Sequence, residues 1–247
     1  MRIAVFSDIH GNHYALEAVL RDIEVRGFDL VFCGGDLVGY GAFPNEVIWL
    51  LRARRIPTVM GNYDEGVGLD RDDCGCAYRD ELAKALGARS IAWTRQAVRP
   101  ENKAYLRGLL KRLEFRVYDT NFLLVHGSPR RINEYLYENR PEHSLARLFQ
   151  EEKADVIVCG HTHLPYVKEL DDKRLLNSGS VGKPKDGDPR AGYLAVEVDE
   201  KGLNADIIRV PYDVEASALA VEVSGLPVEY AAMLRSGSDQ PNLQTSR

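Results

Sequence analysis

The chain has 247 residues, 45% hydrophobic and 28% charged, enough apolar sequence to bury a core in one domain and too much for a disordered chain. Its 32 Lys and Arg against 37 Asp and Glu leave a formal charge of −5, so a broad basic surface for polyanions is excluded and any attraction for phosphate has to be local. The opening apolar run is broken at Ser7-Asp8 before an export signal forms, and no later stretch is long enough to span a bilayer, so the expected compartment is the cytoplasm.

The first sixty residues alternate short apolar runs with helical patterns, as βαβ units do. Ile3 to Phe6 read as a strand. Asn12 is placed to cap a helix with Ala15, Leu16, Val19, Leu20 and Ile23 on its apolar face, and Gly27 to end it. Leu30 to Cys33 make the next strand, Pro44 opens a helix carrying Val47, Ile48, Leu50 and Leu51, and Ile56 to Met60 return as a third strand. The sheet is thus expected to begin parallel. Residues 65–113 read as a helical insertion, with Leu82, Leu86 and Trp93, then Tyr105, Leu106, Leu109 and Leu110, at helical spacing. Trp49 and Trp93 are expected in the core.

From Glu114 the pattern turns to hairpins: Glu114–Tyr118 with Phe122–His126, and Tyr166–Leu170 with Arg174–Asn177. Between them lie a short helix at Ser144–Phe149 and a buried strand at Asp155–Cys159. Tyr193–Val198 and Leu203–Val210 form a further pair. Two amphipathic segments flank Gly225-Leu226-Pro227, and residues 236–247 read as an unstructured tail. The expectation is one domain over 1–235, with the insertion at 65–113 and a helical appendage at 213–235. The four cysteines, Cys33, Cys74, Cys76 and Cys159, read as structural thiols rather than a zinc set or disulfides.

Chemistry collects where the apolar runs stop. Five runs are followed by Ser7-Asp8-Ile9-His10, Gly34-Gly35-Asp36, Gly61-Asn62-Tyr63-Asp64, His126-Gly127 and Gly160-His161-Thr162-His163. Open α/β sheets place their sites at the carboxyl ends of strands, so such ends converge although they are distant in sequence. Residues i and i+2 of an extended segment point the same way, which would pair Asp8 with His10 and His161 with His163. Singly, a D-x-H or a GD is usually a turn or a surface pair; five together, holding four of the six histidines, are not. Carboxylate with imidazole suits manganese, iron, zinc or nickel, and seven donors suffice for two divalent ions sharing a carboxylate.

The order D-x-H, GD, GN-x-D, H-G, GHTH resembles the calcineurin-like metallophosphoesterases, in particular their small bacterial and archaeal phosphodiesterase group, over about residues 1–211. The segments 36–41 (DLVGYG) and 177–182 (NSGSVG) are similar to loops of that group. The resemblance implies a mixed α/β fold, a four-layer α-β-β-α sandwich of two facing mixed sheets flanked by helices. It implies that Asp8, His10 and His163 hold one metal, that Asn62, His126 and His161 hold the other, and that Asp36 bridges them. Where many members carry a histidine that contacts the scissile phosphate and protonates the leaving group, this chain has Tyr63.

The expected function is phosphodiester hydrolysis by in-line attack of a metal-bridging hydroxide, with Asn62 and the metals stabilising the phosphoryl charge. Two dications, two aspartates and one hydroxide sum to about +1, enough to draw phosphate to an acidic protein. Tyr63 and His13 are the candidate acids, and Asn12 and Arg190 candidate substrate contacts. A small phosphoester is the expected partner, in a possible homo-oligomer without membrane attachment. Two rivals stand beside this reading. One is an interaction scaffold like the retromer's metallophosphoesterase-like subunit; the other is a nuclease, for which Arg52, Arg54 and Arg55 are a small basic group best read as a solvated helix face.

Overall fold

The computed structural model describes residues 1–200 and 202–239. In chain order the elements are β1 (Arg2–Phe6), α1 (His13–Arg26), β2 (Leu30–Cys33), α2 (Pro44–Ala53), α3 (Asn62–Gly68), α4 (Glu81–Ala97), α5 (Pro100–Arg107), β3 (Arg112–Val117), β4 (Thr120–Val125), α6 (Glu142–Glu152), β5 (Val156–Cys159), β6 (Tyr166–Leu170), β7 (Lys173–Asn177), β8 (Ala191–Asp199), β9 (Gly202–Val210), α7 (Val214–Ser224) and α8 (Glu229–Ser236). The strands form two mixed sheets, ordered β2-β1-β8-β9 and β3-β4-β5-β7-β6.

The two sheets pack face to face. Ile3, Val5, Leu194, Val196 and Val198 of the first meet Phe122, Leu124, Val156, Val158 and Leu176 of the second in one buried cluster, each contributed by the alternate residues of its strand. The outer face of the first sheet is covered by α1 and α2, through Leu16, Val19, Leu20, Val47, Ile48 and Leu51. The outer face of the second is covered by α6, through Leu145, Leu148 and Phe149. The result is the expected mixed α/β arrangement, helix upon sheet upon sheet upon helix. A satellite cluster joins Leu86 of α4 to Ala218, Val221, Tyr230 and Leu234 of α7 and α8.

Helix α1 follows its sequence signals closely: Asn12 accepts from the Ala15 N–H, and Gly27 closes the helix in the left-handed conformation at φ 66°. β1 and β2 are parallel, as are β4 with β5 and β5 with β7; the hairpins β3-β4, β6-β7 and β8-β9 are antiparallel. The third strand expected at Ile56–Met60 is reduced to single bridges, Thr58 with Cys33 and Val59 with Leu110. Pro57 has no N–H to continue a ladder there.

Trp49 is not in the core; it is 65% exposed. Val47, Ile48 and Leu51 define the buried stripe of α2, and at 100° per residue Trp49 falls on the opposite side. Trp93 is half-buried, its indole donating to the Ser224 carbonyl at 2.9 Å. The expected tail starts too early: Ser236 closes α8, Gly237 caps it, and Asp239 pairs with Lys183 and Lys185. Residues 240–247 of that expectation lie outside the described residues. Among the described residues no helix is long and apolar enough to cross a membrane.

Candidate metal centre

Two adjacent parallel strands in each sheet deliver the site. β1 and β2 end at the loops holding Asp8, His10 and Asp36, and β4 and β5 end at His126 and the loop of His161 and His163. Because the sheets face each other, these ends meet at one rim. Backbone bonds tie them together: the Asp8 N–H donates to the Gly35 carbonyl and the Gly160 N–H to the His126 carbonyl, and the His161 N–H donates to Asp8 Oδ2 at 3.0 Å. Gly61 brings Asn62 against the same rim, and a methyl group there would overlap the Asp36 carboxylate.

Two donor groups result, Asp8 with His10 and His163, and Asp36 with His126 and His161, all buried. His10 Nε2 lies 3.1 Å from His163 Nε2 and 3.8 Å from Asp8 Oδ1, and His163 Nε2 lies 3.3 Å from Asp8 Oδ1. Asp36 Oδ2 stands between the groups, 3.3 Å from His126 Nε2 and 3.6 Å from His10 Nε2. Asn62 Oδ1 is 3.0 Å from His126 Nε2. The seven expected donors are therefore together, but not by the extended geometry expected for D-x-H and H-x-H. Asp8, His10, Asp36, His161 and His163 all have left-handed backbone, with φ of 56°, 49°, 54°, 64° and 60°. His161 and His163 consequently diverge into different groups.

Carbonyl groups fix the imidazoles. The Nδ1 atoms of His10, His126 and His163 donate to the carbonyls of Val38, Gly34 and Lys183 at 2.9, 2.9 and 2.5 Å. A carbonyl only accepts, so each Nδ1 carries the hydrogen and each Nε2 faces the cluster. Burial lowers His10 to about 4; burial, then the His126 charge, lowers His161 to about 3; burial also takes His163 well below its ordinary value. These three are neutral, with lone pairs available to a cation. Burial and the neighbouring Asp36 raise Asp8 to about 7, whereas His126, opposed by burial, is held up near 10 by Asp36. Asp8 Oδ1 and His161 Nε2 are buried without any hydrogen-bond partner, and bare His10 and His163 nitrogens face each other. Unpartnered buried lone pairs at such spacing fit bound cations.

Asp64, which the motif contains but sequence reasoning left without a role, holds the frame. Its carboxylate accepts from the N–H groups of Asp36, Leu37 and Gly61 at 2.8, 2.9 and 2.9 Å, and Asp36 Oδ1 accepts from the Tyr63 N–H at 2.9 Å. The 177–182 segment is a second brace. Asn177 donates to the Gly160 carbonyl, and Ser180 donates to the carbonyl of Asp8 at 2.7 Å. A cavity of about 350 Å³ opens beside Asp36, His161 and His163; Tyr40, Tyr63, Lys183 and Lys185 are among its walls. Residues 183–190 read in sequence as a turn-rich loop at the cleft rim, with Arg190 as its phosphate contact; in the structure Lys183 and Lys185 of that loop line the cavity. Asp239 was missed because nothing local in sequence links it to the histidines.

Four expected roles need correction. His13 begins α1 and turns along it, 3.5 Å from Glu17 and against Phe43, away from the cavity walls. Asn12 is fully occupied, capping α1 while donating to the Gly182 carbonyl and Tyr212 and accepting from Ser217. Arg190 is paired with Asp188 at 2.6 Å and does not line the cavity. The Asn62 NH₂ donates to the Cys74 carbonyl at 2.9 Å and to Cys76 Sγ at 3.3 Å, so it presents oxygen to the cluster and has no donor left to offer a phosphoryl oxygen. Tyr63 does line the cavity, 1% exposed, its hydroxyl buried without a partner. The four cysteines are free thiols.

The sequence profile of the calcineurin-like phosphoesterase superfamily domain matches residues 1–201. The chain belongs to that superfamily. The chain is 36% identical to an uncharacterized protein of Methanocaldococcus jannaschii, over 91% of this chain and 93% of the relative. A crystal structure of a metallophosphoesterase from Sphaerobacter thermophilus superposes with a TM-score of 0.76 at 31% identity, covering 96% of this chain and 99% of that one. A hypothetical protein of Pyrococcus horikoshii shares the fold at a TM-score of 0.82 and 21% identity, over 97% and 99% of the two chains.

Proposed function

We propose that the protein is a metal-dependent phosphoester hydrolase that prefers small phosphodiesters. The observation that carries this reading is the pair of buried donor groups meeting at Asp36, with unpartnered Asp8 Oδ1 and His161 Nε2, beside an open cavity. In this reading Asp8, His10 and His163 hold one cation, Asn62, His126 and His161 hold the other, and Asp36 lies between. Two divalent ions, manganese, iron, zinc or nickel, supply charge that draws the phosphoryl group and acidity that makes water a nucleophile near neutral pH.

The chain itself supplies position. Carbonyl anchors on the imidazoles and the three N–H bonds to Asp64 hold the donors before any ligand arrives. Tyr63 offers a hydroxyl that burial, then Tyr40, keeps protonated well above its ordinary value, so it donates a hydrogen bond but brings no positive charge. A cavity of about 350 Å³ and a net charge of −5 favour a small ester over a long nucleic-acid strand. Tyr63 in place of an imidazole is the one feature favouring a scaffold; the intact donor set weighs against it, since an interaction surface has no use for buried lone pairs.

The test is metal analysis of the purified protein, then hydrolysis of a bis-aryl phosphate after reloading with each candidate ion. Turnover that is lost in Asp36→Asn supports the reading. No turnover with any of the four ions overturns it.

A further inference from the structure

The cavity beside the donor cluster holds a second charged arrangement that the hydrolysis described above leaves without a role. Lys183 and Lys185 both close on the carboxylate of Asp239, Lys185 at 3.2 Å and Lys183 in a shorter ion pair. Lys183 is buried, and its ammonium sits 5.0 Å over the ring of Tyr40, which stands 4.8 Å from the ring of His10. The Lys183 carbonyl is also the group that accepts from His163 Nδ1, so this side chain springs from the edge of the donor cluster. Asp36, His163, both lysines and Asp239 line the same cavity.

Asp239 reaches this place from the far end of the chain. It lies just beyond α8, where the Gly237 carbonyl accepts from the Gly187 N–H at 2.9 Å and threads the segment past the lysine loop. A carboxylate gripped by two ammonium groups next to a cluster of metal donors presents the charge and oxygen spacing of one face of a phosphate. Being tethered, it acts at high effective concentration and closes the lysines at rest.

We propose that Lys183 and Lys185 form an anion-binding wall for the substrate's phosphoryl group, and that Asp239 is a built-in competitor displaced when a phosphoester or phosphate ion enters. The proposal rests on the phosphoester reading above for its choice of ligand. It makes the lysines affinity determinants and the C-terminal segment a brake on substrate entry.

Inorganic phosphate is the probe, titrated into the full-length purified protein and followed by calorimetry. Asp239→Asn preserves size and removes the charge, and is expected to bind phosphate at least fivefold more tightly. Asp186→Asn, which breaks a pair with Arg209 away from the cavity walls, controls for one lost negative charge and is expected to change affinity less than twofold. Lys183→Gln is expected to weaken phosphate at least tenfold, and Lys185→Gln combined with Asp239→Asn to remove the gain. An Asp239→Asn variant no tighter than Asp186→Asn overturns the proposal, as does a gain that survives Lys185→Gln or unchanged affinity in Lys183→Gln. Hydrolysis assays separate this idea from its foundation: tighter phosphate binding in a protein that cleaves no ester keeps the wall and sinks the hydrolase, and turnover without tightening does the reverse.

Discussion

Replacing Asp64 by asparagine isolates the frame of the site from its donors. The Asp64 carboxylate receives three buried N–H groups, two at Oδ2 from Asp36 and Gly61 and one at Oδ1 from Leu37. Asparagine has one oxygen. Turned to keep the two bonds at Oδ2, it sets an NH₂ against the Leu37 N–H, leaving that donor unpaired and opposed by another. Each unsatisfied buried donor costs about 1–3 kcal/mol, so Asp64→Asn is expected to destabilise by about 2–5 kcal/mol. For a chain of this size that lowers the melting temperature by about 5–15 °C. Displacing the Asp36 loop should also weaken metal binding about 10- to 100-fold, as losses of groups that orient ligands do. Thermal melting followed by metal titration reads both quantities. A shift under about 2 °C with unchanged metal affinity would refute the view that Asp64 sets the loop.

Divalent metal at about 100 times its dissociation constant is expected to stabilise the fold by about 2.7 kcal/mol, read as a higher melting temperature that a chelator reverses. Aryl phosphodiesters should be cleaved at least about 100-fold faster than matched alkyl diesters, because Tyr63 brings no cationic acid to the leaving group; equal rates on matched pairs would count against this. Arg190→Gln should leave KM within about twofold in steady-state assays, since Asp188 already holds the guanidinium. Leu176→Ala, at the dry face between the sheets, should cost about 2–5 kcal/mol in denaturant unfolding, against under about 1 kcal/mol for the exposed Trp49→Ala.

Most of the fold was readable because local and tertiary signals agree. Asn12 and Gly27 bound α1, and the apolar face between them is the one the sheet covers. Six of the seven candidate donors were readable because each follows a strand, and strand ends of facing sheets share a rim; Asn62 follows only the isolated bridges at Thr58 and Val59. Their backbone was not: left-handed φ at Asp8, His10, Asp36, His161 and His163 has no signature in residue type beyond tolerance, so the straight-strand pairing of His161 with His163 failed. Asn12 and Arg190 misled because a polar residue near a loop reads alike whether it faces a ligand or its own chain. Lys183, Lys185 and Asp239 lie 56 and 54 positions apart in sequence, and only the packing of α8 brings them together.

Those five left-handed residues carry an implication for how such a chain ages. Glycine would sit in each of these turns more comfortably than aspartate or histidine, by about 1 kcal/mol apiece, while deleting a candidate donor. Summed over the rim, that is a sizeable part of a typical domain's stability of about 5–15 kcal/mol. Random drift in a lineage that had abandoned cations would therefore run downhill toward a sturdier, inert molecule. On the proposed metal-binding reading, these five uncomfortable side chains stand where they do because each is a donor.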